Sequence, residues 1–393
     1  MPWRTTNMSD QRQEFVSRIL AGGASFSAVC REFGISRKTG YKWKTRALQD
    51  GVSELAERSR RPLRSAAQLD EVTTCTLIRL KLAHPTWGPK KICALHLRLH
   101  HKGPSLSTCH RVLQRAGLVA ARRRRVRPST GRLQVSICAA APNDVWTVDF
   151  KGWWRVADRQ RCEPLTVRDA YSRYVLAVRV VPRADTATIQ SEFVRLFETY
   201  GLPKVIKSDN GVPFAATASV LGLSRLSAWW TALGIDLDRS RPAHPQDNGA
   251  HERLHRDLHA ELAQFIQPNL VAQQAACELW RESFNHERPH EALGQRRPSD
   301  LYSKSPRLYR PAALAYPTGF VTRKVRPVGS INWLGNTLFI STALAGWDVG
   351  LQQHDASTLQ VYFAHLHLGH IDLQTLRFHA APSRVVEAHR LSA

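Results

Sequence analysis

The chain has 393 residues, too many for one hydrophobic core, and a 43% apolar content that argues against wholesale disorder. Lys and Arg number 56 against 32 Asp and Glu, a formal charge of +24, which points to a polyanionic partner because cations set against phosphates release condensed counterions. Seven scattered cysteines, an odd count with no C-x-x-C, exclude a disulfide framework and a zinc ribbon, and no apolar run approaches the roughly 20 residues that span a bilayer. With a polar N-terminus lacking a signal-type apolar segment, a cytoplasmic protein without membrane contact is expected.

Residues 1–55 are predicted to be helical. Phe15, Val16, Ile19 and Leu20 share a stripe on a first helix. Ser25 caps a second, Gly34 makes a tight turn, and Ser36 caps a third helix running to about Leu48. Two short helices about a Gly turn, the second rich in cations, form the helix-turn-helix pattern. It places Arg37, Lys38, Tyr41, Lys42 and Lys44 on a groove-facing helix, with Thr39 and Trp43 inward. Gly40 inside that helix costs about 1 kcal/mol relative to Ala. Residues 56–69 read as a basic linker, in which Arg60, Arg61 and Arg64 either lie along phosphates or belong to a solvated tether.

Residues 70–118 repeat the theme as a second helix-turn-helix domain. Val72, Leu77, Ile78, Leu80 and Leu82 give an apolar helix, Thr86 to Ile92 starts another with Pro89 in its first turn, and Pro104 to Thr108 starts a third carrying Arg111 and Arg115. Residues 119–139 are a second basic linker, with Arg122, Arg123, Arg124 and Arg125 as a phosphate-binding strap.

Residues 140–302 alternate strand and helix patterns. Strands are predicted at 144–150, 163–169, 173–181, 204–209 and 235–241. Asp185 caps a helix from Thr186 to Tyr200, and a helix from Gly249 to about Gln267 buries Leu254, Leu258, Leu262, Phe265 and Ile266. That order gives a mixed sheet with helices packed on it. Trp229, Trp230 and Trp280 are assigned to the core. Residues 318–380 hold short strands at 319–323, 330–333, 336–341, 359–363 and 368–373, whose spacing fits a small barrel of about five strands.

Three acids are poorly explained by structure together, though each has a plain role alone. Asp149 lies in the apolar strand Val145-Trp-Thr-Val-Asp-Phe150, and alone it reads as a solvated strand end. Asp209 closes another strand before Asn-Gly and alone reads as a turn former. Glu252, in the first turn of a helix, alone reads as a favourable N-terminal charge, and it falls roughly 120° from the leucine stripe. Carboxylates at strand ends, completed by one from a helix, suit hard divalent cations that keep sites open for water and phosphate oxygens.

Four words carry a family resemblance: Trp146-Thr-Val-Asp-Phe150, Asp169-Ala-Tyr-Ser-Arg-Tyr174, Ser208-Asp-Asn-Gly211 and His244-Pro-Gln-Asp-Asn-Gly-Ala-His-Glu-Arg253. They resemble the integrase core of bacterial insertion-sequence transposases and, more distantly, retroviral integrases. The resemblance implies a ribonuclease-H-like core, with the catalytic and metal-binding acids at Asp149, Asp209 and Glu252. It implies Mg²⁺ or Mn²⁺, two ions, with nicking of element ends and strand transfer into target DNA by a homo-oligomer at synapsis. His244, Asn248 and Arg253 are placed either against phosphates or in turn and helix capping, and Asn210 and Gly211 shape the adjacent loop. The stretch between Asp209 and Glu252 is longer than the compact spacing of the superfamily, with Phe214 to Trp230 as the insertion, and Asp247 stands where Gln or Thr is commoner. Two competing readings are a non-catalytic, element-derived DNA-binding regulator and a nuclease of the same fold that hydrolyses without joining.

Overall fold

A computed structural model describes residues 7–57, 69–119, 139–181, 184–240, 249–263 and 265–382. The chain divides into two compact units, Met1–Leu69 and Asp70–Ala393. No helix among the described residues is long and apolar enough to cross a membrane.

The first unit holds α1 (Met8–Ala21), α2 (Phe26–Glu32) and α3 (Arg37–Asp50). Ser25 and Ser36 cap α2 and α3 by accepting from the amides of Ala28 and Thr39. Phe15, Val16, Val29, Cys30, Trp43, Ala47 and Leu55 form the core. Leu20 departs from the predicted stripe: one residue round from the partly buried Ile19, it is 51% exposed. The reason for Gly40 is steric. A Cβ there would lie 2.7 Å from Cys30 Sγ and 2.9 Å from the Phe15 ring. Gly40→Ala therefore destabilises this unit by about 1–2 kcal/mol, the overpacking exceeding the gain in helix propensity. Thermal unfolding of the variant checks this, and an unchanged or higher midpoint contradicts it.

The second unit begins with three helices, α4 (Glu71–Ala83), α5 (Pro89–His100) and α6 (Leu106–Arg115). The Asp70 carboxylate caps α4 through the Thr73 amide at 2.7 Å, and Ser105 caps α6. Leu77 is buried, whereas Val72 and Leu82 are 76% and 61% exposed. At about 100° per residue each stands roughly 140° from Leu77, so the five apolar residues of α4 do not share one face.

The central sheet is built from β1 (Val145–Phe150), β4 (Pro164–Asp169), β5 (Val175–Val180), β6 (Val205–Ser208) and β7 (Asp236–Arg239), in the order β5-β4-β1-β6-β7. A small hairpin of β2 (Trp154–Arg155) and β3 (Arg161–Cys162) precedes β4. β4 pairs antiparallel with β1 and β5, while β1, β6 and β7 run parallel. α7 (Thr186–Tyr200) and α8 (Arg225–Ala232) cover one face around Phe193, Phe197, Trp229 and Trp230. α9 (Gly249–Leu258) and α10 (Leu270–His286) cover the other through Leu254, Leu258, Cys277, Trp280 and Phe284. All three tryptophans assigned to the core are buried.

The predicted helix to Gln267 is shorter than expected. α9 passes into a π turn at His259–Ala263, and Phe265 and Ile266 are 66% and 60% exposed beyond it. The π turn carries Glu261, which accepts from Trp280 Nε1 and Arg288, and so shifts the register in which an α-helix would have continued the stripe. The second word of the resemblance proves to be a turn: the buried Asp169 carboxylate accepts from the amides of Asn143 and Ser172, both at 2.7 Å.

Helix α10 is absent from the sequence reading. Val271 and Leu279 face outward at 82% and 74% exposure, while the polar Gln273 and Asn285 are buried, so the pattern is masked. Two of its amides close the edge of the sheet. Asn285 exchanges hydrogen bonds of 2.8 and 2.9 Å with the backbone of Val175, and Gln274 bonds Val180 N and Val178 O at 2.7 and 3.1 Å.

C-terminal to α10 lie β8 (Val321–Lys324), β9 (Ser330–Trp333), β10 (Asn336–Phe339), β11 (Asp348–Gln353), β12 (Thr358–Phe363), β13 (Leu366–Asp372) and β14 (Arg377–Ala380). They form a five-stranded antiparallel sheet, β14-β13-β12-β11-β8, and a β9–β10 ladder that touches both of its edge strands, β8 and β14; these are the short C-terminal strands expected of the small barrel, without continuous hydrogen bonding around it among the described residues. β11 escaped prediction because Gly350 breaks its pattern. Tyr316 lies directly over that glycine, and a Cβ would meet its ring at 2.4 Å. The stretch Phe214 to Trp230 is ordered: Val220, Leu223 and Ala228 join the core of this C-terminal sheet, while Phe214, Trp229 and Trp230 join that of the central one.

Candidate active site

Strand alternation decides which way Asp149 faces. Trp146 and Val148 enter the core under α7, so Thr147 and Asp149 face α9. The Asp149 side chain is 23% exposed. Burial, then the negative charge of Asp209 and that of Glu252, push its carboxyl up to about 7. Those two charges arrive from separate elements. Asp209 directly follows β6, the parallel neighbour of β1, and is exposed. Its Oδ1 accepts from the Gly211 amide at 3.1 Å, and a Cβ on Gly211 would stand 2.9 Å from Oδ2. Asn210 anchors the same loop by donating to Ser240 O at 2.7 Å. Glu252 lies in the first turn of α9 and is exposed, as its offset from the leucine stripe predicts.

The charges of Asp209 and Glu252 thus both bear on Asp149. Carboxylates from a strand, from the residue after a strand and from the first turn of a helix offer oxygen donors whose chemistry fits a hard divalent ion.

Two histidines complete the surroundings: His251, inside the fourth word of the resemblance but given no role by it, and His255, outside that word. His251 is fully buried, with Nδ1 2.9 Å from Thr147 Oγ1 and Nε2 2.6 Å from Thr166 Oγ1. His255 Nε2 lies 2.8 Å from the same Thr166 hydroxyl, and its Nδ1 lies 3.9 Å from Asp149 Oδ2. Burial, aided by Lys151 and Arg168, holds His255 down at about 4, and burial holds His251 well below the usual imidazole range. The available signal was the i, i+4 spacing of two histidines on the buried side of the helix that carries Glu252.

The predicted DNA-contact residues are distributed as follows. In the first unit, Arg37, Lys38, Tyr41 and Lys42 are exposed on α3, and Lys44 is half-buried with Nζ 5.9 Å from the Phe26 ring centre. In the second, Arg111 and Arg115 are exposed on α6, and Arg253 is exposed on α9 beside Asp257 at 3.7 Å. Arg60, Arg61, Arg64, Arg122, Arg123, Arg124, Arg125, His244, Asp247 and Asn248 lie outside the described residues.

The α4–α6 module is fastened to the helices behind the acids. Arg288, 2% exposed, pairs with Asp257 at 2.9 Å and with Glu261 at 2.9 Å. Glu261 also accepts from the Thr86 hydroxyl, and Trp87 is buried with its ring 6.0 Å from the Arg288 guanidinium. Lys90 pairs with Glu291, and Arg98 reaches the carbonyls of Glu287 and Gln295. Burial in this seam brings Lys91 down to about 8.

The order β5-β4-β1-β6-β7, with helices on both faces and acids at adjacent strand ends, defines a ribonuclease-H-like integrase core. Residues 139–245 and 233–298 match two families described as Integrase core domain. Residues 11–62 match a Helix-turn-helix domain and residues 39–113 a Homeodomain-like domain. The chain thus carries regions similar to integrase cores and helix-turn-helix domains, and it is similar to proteins of bacterial insertion elements. It is 25% identical over 240 residues to an uncharacterized 31.7 kDa protein of insertion element IS407 from Burkholderia multivorans, covering 60% of this chain and 82% of that one. It is 26% identical over 238 residues to an uncharacterized 39.2 kDa protein of insertion element IS476 from Xanthomonas euvesicatoria, covering 59% of this chain and 64% of that one, just under two thirds. Among solved structures, the HTLV-2 integrase catalytic core domain in complex with magnesium matches at 16% identity and a TM-score of 0.33, covering 42% of this chain and all of that one.

Proposed function

We propose that the protein is a DNA transposase that binds the ends of its element and carries out metal-dependent cleavage and strand transfer on double-stranded DNA in the cytoplasm. What supports this reading is that Asp149 on β1 faces α9 beside His255, and that the charges of Asp209, just after β6, and of Glu252, in the first turn of α9, both act on its carboxyl. Asp149, Asp209 and Glu252 are the residues that would hold Mg²⁺ or Mn²⁺. When bound, the two ions supply Lewis acidity that activates a water or 3′-hydroxyl and stabilises the leaving oxygen. Asp149 is fixed by its strand, Asp209 by the Gly211 amide, and Glu252 by the first turn of α9, so the three carboxylates are presented by three separate elements. The exposed cations of α3 and α6 provide end binding through phosphate contacts, with residues 1–55 and 70–118 as reading domains and 140–302 as the catalytic core. Synapsis of two DNA ends requires at least two copies of the chain.

The test is a strand-transfer assay with labelled DNA from both flanks of the gene, a supercoiled target and Mg²⁺ or Mn²⁺. Joined product that depends on metal establishes the reading. Binding without cleavage supports a regulator, and cleavage without joining supports a nuclease. End binding weakens steeply with salt, by on the order of 10³-fold between 50 and 200 mM if six or more phosphates are neutralised. A gel-shift titration across that range checks this, and a flat profile contradicts the phosphate contacts.

A further inference from the structure

His255 stands beside the three acids with one ring nitrogen committed and the other not. Hydrogen-bond accounting fixes its proton. The Thr166 hydroxyl has a single hydrogen, and the Asp149 carbonyl oxygen, 2.9 Å away, can only accept it. The hydroxyl oxygen also lies 2.6 Å from His251 Nε2 and 2.8 Å from His255 Nε2, so both rings present an N–H there. His251 is then enclosed, because the ring is fully buried and its Nδ1 lies 2.9 Å from the Thr147 hydroxyl oxygen. His255 differs. Its Nδ1 bears a lone pair 3.9 Å from Asp149 Oδ2, in a cluster where one ligand atom from each of Asp149, His251 and His255 lies within 4.8 Å of the others. Thr166 thereby orients the imidazole and holds the backbone of Asp149 with the same oxygen. A metal-ligating histidine typically has such an outer partner.

We propose that His255 Nδ1 is an additional ligand to the ion held by Asp149, giving a mixed carboxylate–imidazole donor set that favours Mn²⁺ over Mg²⁺. Mg²⁺ keeps to oxygen donors in a strict octahedron, whereas first-row transition ions accept imidazole. The inference rests on reading Asp149 as a metal ligand. It assigns His255 a role that His251, fully buried beside it with a threonine hydroxyl against each nitrogen, does not share.

The full chain is titrated with Mn²⁺ and followed by electron paramagnetic resonance, with pulsed measurements for directly bound ¹⁴N. Wild type shows the nitrogen modulation, and growth on ¹⁵N-histidine changes its pattern. His255→Ala loses the modulation and binds Mn²⁺ about tenfold more weakly, while Mg²⁺ affinity measured by competition changes less than about twofold. If His255→Ala fails to fold, the wild-type spectrum decides alone. Mn²⁺ that binds in an Asp149-dependent way without nitrogen modulation overturns the role of His255 and leaves the acidic site intact. Modulation that persists in folded His255→Ala also overturns it. Wild type that binds no Mn²⁺ overturns the acidic site itself.

Discussion

Asn at position 149 abolishes metal-dependent cleavage and joining, lowering the rate by at least about 10³-fold, or roughly 4 kcal/mol of transition-state stabilisation, while end binding is retained. Asn keeps the shape of the side chain and removes the charge that the acidic cluster depends on. Asp209→Asn and Glu252→Gln give the same result, and activity retained in any one removes that residue from the catalytic set. The raised Asp149 carboxyl adds a signature in pH. Metal binding must displace the proton that Asp149 carries below about pH 7, so apparent affinity falls by up to tenfold per unit as pH drops below that value and levels above it. The metal-free protein shows the opposite trend. A folded-state value near 7 against 3.8 unfolded means the native state binds more protons between the two, so Asp149 lowers stability as pH rises through that window. Metal-free Asp149→Asn is therefore more stable than wild type at pH 8, and the difference closes toward pH 4. Paired melting curves at the two pH values measure it, and a variant less stable at pH 8 contradicts the electrostatic account.

Arg288→Ala costs about 3–5 kcal/mol of stability. The side chain is 3% exposed and holds two carboxylates, Asp257 at the end of α9 and Glu261 in the π turn. Removing it leaves both acids crowded in a seam with no cation in that position. Arg288→Met, which keeps the bulk, loses nearly as much because the uncompensated acids remain. A second change, Glu261→Gln, recovers part of the loss in either background. Denaturant melts of the single and double variants measure the coupling, and additive effects would show that the pair does not act as a unit. Because α9 carries Glu252, melting of its far end also slows catalysis, so Arg288→Ala loses activity under conditions where it is still folded.

Much of this molecule is legible in its residues because local signals agreed with the tertiary result. The helix from Thr186 to Tyr200 with its Asp185 cap, the central strands and the serine caps of α2 and α3 follow from periodicity and turn chemistry. Asp149 draws notice as a charge inside an apolar strand, whereas Asp209 and Glu252 are singled out only with the words that carry the family resemblance. What was hidden depends on contacts remote in sequence. Helix α10 has its apolar rhythm broken by Asn285, whose amide is needed at a strand edge, and by outward-facing Val271 and Leu279. Strand β11 was concealed by a glycine whose missing side chain admits Tyr316. The end of α9 was misjudged because Glu261 answers to Arg288 and Thr86, far away in the chain. The role of His255 depends on a threonine from β4, a strand placed beside Asp149 only by the register of the sheet.

The amide clasp of α10 on β5 has a consequence for how copies of the chain meet. One border of the central sheet has its outward N–H and C=O groups at Val175, and the N–H of Val180, already engaged by side chains. The opposite border, β7, is four residues long, reads Asp-Leu-Asp-Arg, and is tied at Asp236 to His365 at 3.0 Å. Neither border invites another strand, so the sheet does not grow from one molecule into the next. Association between copies is therefore expected away from these two borders. The central sheet then stays an independent unit in each copy.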